Sequence, residues 1–192
     1  FLFGIADALG IEESLAESAY ESERQVYYDY MERLADIYND LDLQRYAVVV
    51  GDSNYAPAIS RFLSDELGWL PELVVITDTL DEAQQDKLAK RFENYESGLK
   101  PSVKFDTDTS SVKKYIAEIW PRNRNERYFN FMNPTVIIGS VYERDLAAEF
   151  GVPLLTVSYP VTNRVVLNRA YAGTNGALSF TEDLLGILVA GR

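Results

Sequence analysis

Five short apolar runs in this sequence end in clusters of small, acidic or hydroxyl-bearing residues. The clusters are Gly51-Asp52-Ser53-Asn54, Thr77-Asp78, Asp106-Thr107-Asp108, Gly139-Ser140 and Ser158-Tyr159-Pro160. Gly51 and Gly139 each follow a strand-like run and precede a helix-like one. Glycine permits a tight turn there, and the N–H groups that open the next helix are available to an anion. Neither position sits in a Gly-x-Gly-x-x-Gly fingerprint or a phosphate-binding loop. Asp52 also puts a carboxyl where a phosphate would lie, so turn glycines followed by a helix-capping aspartate are the better account of the pattern. The chain contains no cysteine and no histidine. That removes thiolate and imidazole ligands, disulfides, thiol nucleophiles and imidazole bases. Catalysis would fall to carboxyls, lysine, tyrosine or serine, and the sequence assigns no catalytic and no metal-binding residue.

A second stretch is more distinctive. Tyr159-Pro160-Val161-Thr162-Asn163-Arg164 is followed by Gly173-Thr174-Asn175-Gly176. Pro160 fixes the backbone after a strand, and Arg164 offers a planar donor fork. The stretch reads either as a structural lock for the C-terminal segment or as an anion or cofactor contact through Arg164. The candidates for cofactor binding are therefore Gly51, Asp52, Gly139, Ser140, Asn163, Arg164, Gly173 and Gly176. Asp52 and Asp78 at the ends of adjacent strands invite comparison with a phosphoacceptor receiver domain. The fifth strand runs into Ser158-Tyr159-Pro160 without the lysine that such a site needs, so that reading is rejected. Three arginines in Pro121–Arg127 read as a solvated loop, or as a docking patch for an acidic partner.

The elements that must position these groups follow from periodicity. Ser14 and Glu17 form a Ser-x-x-Glu capping box ahead of a helix over about 14–39. Leu15, Ala19, Val26, Tyr30, Leu34, Ile37 and Leu41 lay one apolar stripe along it. Tyr20, Tyr27, Tyr28, Tyr30 and Tyr38 lie on or beside the stripe; they are expected to pack in a core, with a partner interface as the alternative. Strands are predicted at 46–50, 73–77, 102–105, 135–138 and 153–157. Between them come helices near 57–67, 81–95 and 109–120, and at 141–150, with a last helix over about 175–190. Pro57 falls in a first helical turn, Thr109 can cap a helix, and Gly68 and Gly151 close helices. Apolar runs of about five residues alternating with helices mean βαβ units and a parallel sheet. The expected fold is α/β: a doubly wound, Rossmann-like sheet of about five strands with a long N-terminal helix, in strand order 3-2-1-4-5. Residues 1–44 form a helical segment and 45–192 the αβα domain. In such a sheet, ligands bind beyond the carboxyl ends of the strands.

Composition narrows the partners. The 192 residues are 47% hydrophobic and 25% charged, as in an ordinary globular chain. The net charge of −12 repels a phosphate backbone, which argues against nucleic acid. No apolar run reaches the length of a membrane span, and the basic n-region of a signal peptide is missing. The chain does not open on methionine, as expected of a piece of a longer protein.

The final third resembles the C-terminal end of nitrogenase component 1 β-chains. That family runs from an Ile-Gly strand end through a short helix to a Gly-x-Pro-Leu strand. A Phe-Pro-x-x-Asp-Arg motif, a Gly-Tyr-x-Gly motif and a last helix follow. Here the corresponding residues are Ile138-Gly139-Ser140, Gly151-Val152-Pro153-Leu154, Tyr159 through Arg164, and Gly173-Thr174-Asn175-Gly176. Glu23-Arg24, Val50-Gly51-Asp52, Arg61-Phe62-Leu63, Glu66-Leu67-Gly68 and Pro71 continue the likeness upstream, so it covers about 5–188. Asn163 replaces the family's Asp, Thr174 its Tyr and Tyr159 its Phe. The segment after Val165 lacks the histidines common in molybdenum-type chains. The chain therefore resembles a divergent member, and dinitrogen reduction is not carried over.

The resemblance implies a C-terminal Rossmann-like domain of a molybdenum–iron protein β-chain-like subunit, in a cytoplasmic oxidoreductase of the nitrogen-fixation type. It further implies a homologous α-type subunit in a heterotetramer and an ATP-dependent iron protein as electron donor. The parent would hold an iron–sulfur cluster through upstream cysteines, with no cofactor in this piece. Two other readings remain open: a stand-alone small-molecule-binding module of doubly wound fold, and a nucleotide-dependent transferase fragment.

Overall fold

In a computed structural model of the chain, residues 2–40, 45–120, 134–162, 165 and 170–190 are described. The polypeptide divides into two compact units. One contains Phe1–Leu43 with Leu167–Asp183, and the other Gln44–Val166 with Leu184–Arg192.

The larger unit is built on β1 (Tyr46–Gly51), β2 (Leu70–Ile76), β3 (Ser102–Phe105), β4 (Val136–Gly139) and β5 (Leu154–Thr156). All pairings are parallel, in the order β3-β2-β1-β4-β5, which is the expected order. One row crosses the whole sheet: Ser102, Leu73, Val48, Ile137, Leu154. The three central strands read as continuous apolar runs because both of their faces are covered. Val48, Val50, Leu73, Val75 and Ile137 face one side. There they form a buried cluster with Val112, Ile116 and Trp120 of the α5 region and Ala147 of α6. Helix α3 (Tyr55–Asp65) packs on β1 and β2. Its buried Ile59 and Leu63 are not members of that cluster, which places α3 on the opposite face.

The remaining elements are α4 (Glu82–Ala89), α5 (Val112–Ile119) and α6 (Arg144–Phe150), with 3-10 turns at Lys90–Phe92, Thr109–Ser111 and Val141–Glu143. Gly68 and Gly151 have φ of 64° and 66° and follow α3 and α6, as expected. The cap near α5 is a correction. Asp108, not Thr109, accepts the N–H of Ser110, and Thr109 lies inside the 3-10 turn. A carboxyl one residue earlier reaches the free N–H groups first.

The smaller unit holds α1 (Leu2–Leu9), α2 (Glu13–Asp40) and the first part of α7 (Gly173–Ala190). The sequence pattern did not predict α1. At eight residues it is too short to show a periodicity of its own, and it owes its helical form to packing on α2. Phe3 meets Tyr20 at a ring separation of 5.8 Å. Helix α2 begins at Glu13, so Ser14 lies in its first turn rather than at its cap. The expected stripe is also displaced. Ala16 and Tyr27 are buried, whereas Leu15, Val26 and Tyr30 are 63%, 45% and 53% exposed. Tyr20 and Tyr28 are exposed too. A 28-residue helix is about 42 Å long, and α1 covers only a short stretch of it. An apolar stripe records which side of a helix can be buried, not whether anything in the described chain buries it.

Gly173 and Gly176 were expected to flank the start of the last helix. Instead, Gly173 (φ 69°) is its first residue and Gly176 lies inside its first turn. A Cβ at Gly176 would stand 2.5 Å from the Tyr171 carbonyl carbon and 2.9 Å from its Cα. Glycine is needed there because the incoming backbone folds back against the helix. The same fold-back sets the Tyr171 ring 5.5 Å from Phe180 and lets its hydroxyl donate to Asp183 at 2.5 Å. No helix among the described residues is long and apolar enough to cross a membrane.

Candidate functional site

The carboxyl ends of the strands enclose a crevice of about 470 Å³ in the larger unit. Strand order explains its place. The connections leaving β1 and β4 run to opposite sides of the sheet and leave a gap between them. The end of β1 contributes Gly51 and Asp52, and the end of β2 Thr77 and Asp78. The turn after β3 contributes Thr107 and Asp108, the turn after β4 Ser140 and Glu143, and the end of β5 Ser158 and Tyr159.

The free N–H groups at these strand ends are occupied by the chain's own carboxyls. Asp52 Oδ1 accepts from the N–H groups of Asn54 and Tyr55, each at 2.8 Å. Asp78 reaches across from β2 to accept the Ser53 N–H at 2.8 Å. Glu143 folds back under the end of β4, where its Oε2 accepts the Ser140 N–H at 2.6 Å and the Ser140 hydroxyl at 2.8 Å. The anion expected at Gly51 and Gly139 is thus supplied from within, and Asp52 acts as the helix-capping aspartate. A phosphate would have to displace these groups against four negative side chains lining the crevice, where no lysine or arginine is present among the described residues.

Gly51 and Gly139 both end their strands rather than following them. A Cβ at Gly51 would make only ordinary contacts, 3.7 Å from Ala56 Cβ. A Cβ at Gly139 would stand 2.7 Å from Glu143 Oε2, so this glycine is what admits the carboxyl. Gly51, Asp52 and Ser140 line the crevice and Gly139 floors the Glu143 carboxyl, while Gly173 and Gly176 belong to the smaller unit. Asn163, Arg164 and the arginines of 121–127 lie outside the described residues. The sequence reading missed Glu143. Its signal was present as Ser140-x-x-Glu143, a capping box directly after a strand, and the structure shows both of its reciprocal bonds.

Glu143 is only 1% exposed. Its second oxygen, Oε1, has no hydrogen-bond partner among the described residues. A buried acceptor left unpaired costs about 1–3 kcal/mol. Among the described residues that line the crevice, Glu143 Oε1 is the one buried side-chain atom without a hydrogen-bond partner.

Beside the crevice, Tyr115 on α5 donates its hydroxyl to Asp106 Oδ2 at 2.7 Å. This bond, with smaller help from the Asp108 N–H and the Ser111 side chain, holds the Asp106 carboxyl below its ordinary value. The same bond pushes the Tyr115 hydroxyl up. A depressed carboxyl contributes stability above the unfolded value of about 4, and loses it as pH falls through the folded value. In Tyr115→Phe, the Asp106 carboxyl should titrate nearer to its ordinary value, and the variant should be less sensitive to acid than the parent over that window. A carboxyl NMR titration checks this; an unmoved Asp106 midpoint would show that the hydroxyl is not the cause.

An iron–sulfur cluster does not fit this donor set. The sequence has no cysteine or histidine. Among the described residues, no three carboxyl-bearing side chains are grouped closely enough to hold a metal ion.

Comparison with known proteins gives a consistent likeness. The model of the nitrogenase component 1 type oxidoreductases matches residues 1–188. The nitrogenase molybdenum-iron protein beta chain of Methanococcus maripaludis is 28% identical over 161 residues, covering 83% of this chain and 31% of that protein. The same chain from a named strain of that organism gives the same figures. A solved nitrogenase, Cp1 at pH 6.5, superposes with a TM-score of 0.71 at 22% identity, over 99% of this chain and 37% of the solved one. At that identity the superposition speaks for the fold. The chain spans about a third of the length of the relatives it matches.

Proposed function

The chain belongs to the nitrogenase component 1 type oxidoreductases, and from that premise we propose that it is the C-terminal domain of a β-chain-like subunit, serving as scaffold and subunit interface. The observation that carries this reading is the extent of the match. The family model spans residues 1–188, yet those residues make up about a third of the length of the molybdenum-iron beta chain they match. The redox centre then belongs to other sequence, since this chain can offer neither thiolate nor imidazole. In the same reading the partners are a homologous α-type subunit in a heterotetramer and an ATP-dependent iron protein, in a cytoplasmic complex. The exposed tyrosines and aliphatic residues of α1 and α2 suit an interface, because tyrosine combines an apolar ring with a polar tip.

Determining the coding sequence upstream of Phe1 tests this proposal. Several spaced cysteines there are expected. A start codon close to Phe1 would overturn it, as would stoichiometric iron and sulfide on the isolated chain after anaerobic reconstitution.

A further inference from the structure

We propose that the crevice at the strand ends binds a small organic ammonium ion, with Glu143 Oε1 as its acceptor. This assignment is independent of the subunit reading, and either can fail without the other.

Three observations converge on it. The first is the state of Glu143. Glu143 is a lining residue of the crevice and is 1% exposed; its Oε2 is occupied by Ser140, and its Oε1 is buried with no partner among the described residues. A buried carboxyl oxygen in that state calls for a donor, and a positively charged donor offsets its burial best. The second is the sign of the walls. Asp52, Asp78 and Asp108 add three more carboxyls, and among the described residues no lysine or arginine lines the space. The N–H groups that would attract an anion are already taken by Asp52, Asp78 and Glu143. The third is size. About 470 Å³ falls within the range of small-molecule sites. The carboxyls are too dispersed to close around a bare metal ion, since no group of three among the described residues could hold one. A ligand that carries its ammonium groups on a carbon chain can reach Glu143 with one end and the rim carboxyls with the other.

Titration calorimetry of the full chain with putrescine tests the assignment. We expect saturable one-to-one binding that falls as salt is added. Glu143→Gln should weaken it roughly tenfold, the effect of losing one charge-assisted bond of ordinary strength. That variant could disturb the turn it braces, so a second probe leaves Glu143 alone. Thr107 is exposed at the crevice rim, and Thr107→Arg would place a tethered guanidinium in the space and abolish binding. Absence of saturable binding overturns the proposal. Binding that survives Thr107→Arg unchanged also overturns it, because the amine is then held elsewhere on the acidic surface. Tighter binding of inorganic phosphate than of putrescine reverses the sign of the site and overturns it as well.

Discussion

Gly139→Ala should destabilise the chain by about 3 kcal/mol, combining the strain of overpacking with the loss of a buried hydrogen bond. The added Cβ would stand 2.7 Å from Glu143 Oε2, 3.2 Å from Cδ and 3.3 Å from Cγ. An exposed glutamate would swing away at little cost. Glu143 is buried and held by two bonds from Ser140, so it can move only by leaving the Ser140 N–H without its acceptor. Gly51→Ala is the matched control. It sits at the equivalent end of β1, and its Cβ would meet Ala56 at 3.7 Å, an ordinary contact. Urea unfolding of the two variants decides the matter. Equal midpoints would mean that the Glu143 carboxyl is not fixed beneath β4.

Ile137→Ala should cost about 2–5 kcal/mol, the usual range for emptying a core isoleucine site. Ile137 is fully buried at the middle of the sheet, in register with Val48 on one side and Leu154 on the other. It packs in the cluster with Ile116 and Trp120. Ile116 lies in α5 and Trp120 directly follows it, while Val48 lies in β1; each element is held by further contacts, so the cavity cannot collapse fully. Ile137→Val removes one methylene and should cost about 0.5–1.5 kcal/mol. Urea denaturation with an unchanged slope and the graded order isoleucine, valine, alanine would confirm the packing. An alanine variant as stable as the parent would place Ile137 outside the core.

Much of the architecture was legible before any coordinates. Continuous apolar runs such as Tyr46–Val50 and Thr135–Ile138 mark strands covered on both faces. Their alternation with helical patterns requires parallel crossovers. The strands fall within a few residues of their expected places, and their carboxyl ends gather the predicted polar clusters around one crevice. The chemistry that the chain lacks was equally plain, because ligand chemistry depends on residue type and cysteine and histidine are missing from the sequence.

The tertiary structure decided what local pattern cannot carry. A stripe on α2 states that one side of the helix is apolar, but only the placement of neighbouring elements shows that Tyr27 is covered and Tyr30 is not. A glycine before a helix states that an anion is welcome, but only the path of the chain shows that the anion is Glu143, already in place. Gly176 looked like a helix-start residue. Its actual constraint is the backbone of Tyr171 folding back against it. The sequence by itself determined which residues tend to form strands and helices, and which chemistry is missing, because those properties are local to a residue and its near neighbours. Which faces are buried, and which of the chain's own groups fill its binding positions, depends on contacts between segments distant in sequence, and those exist only once the chain has folded.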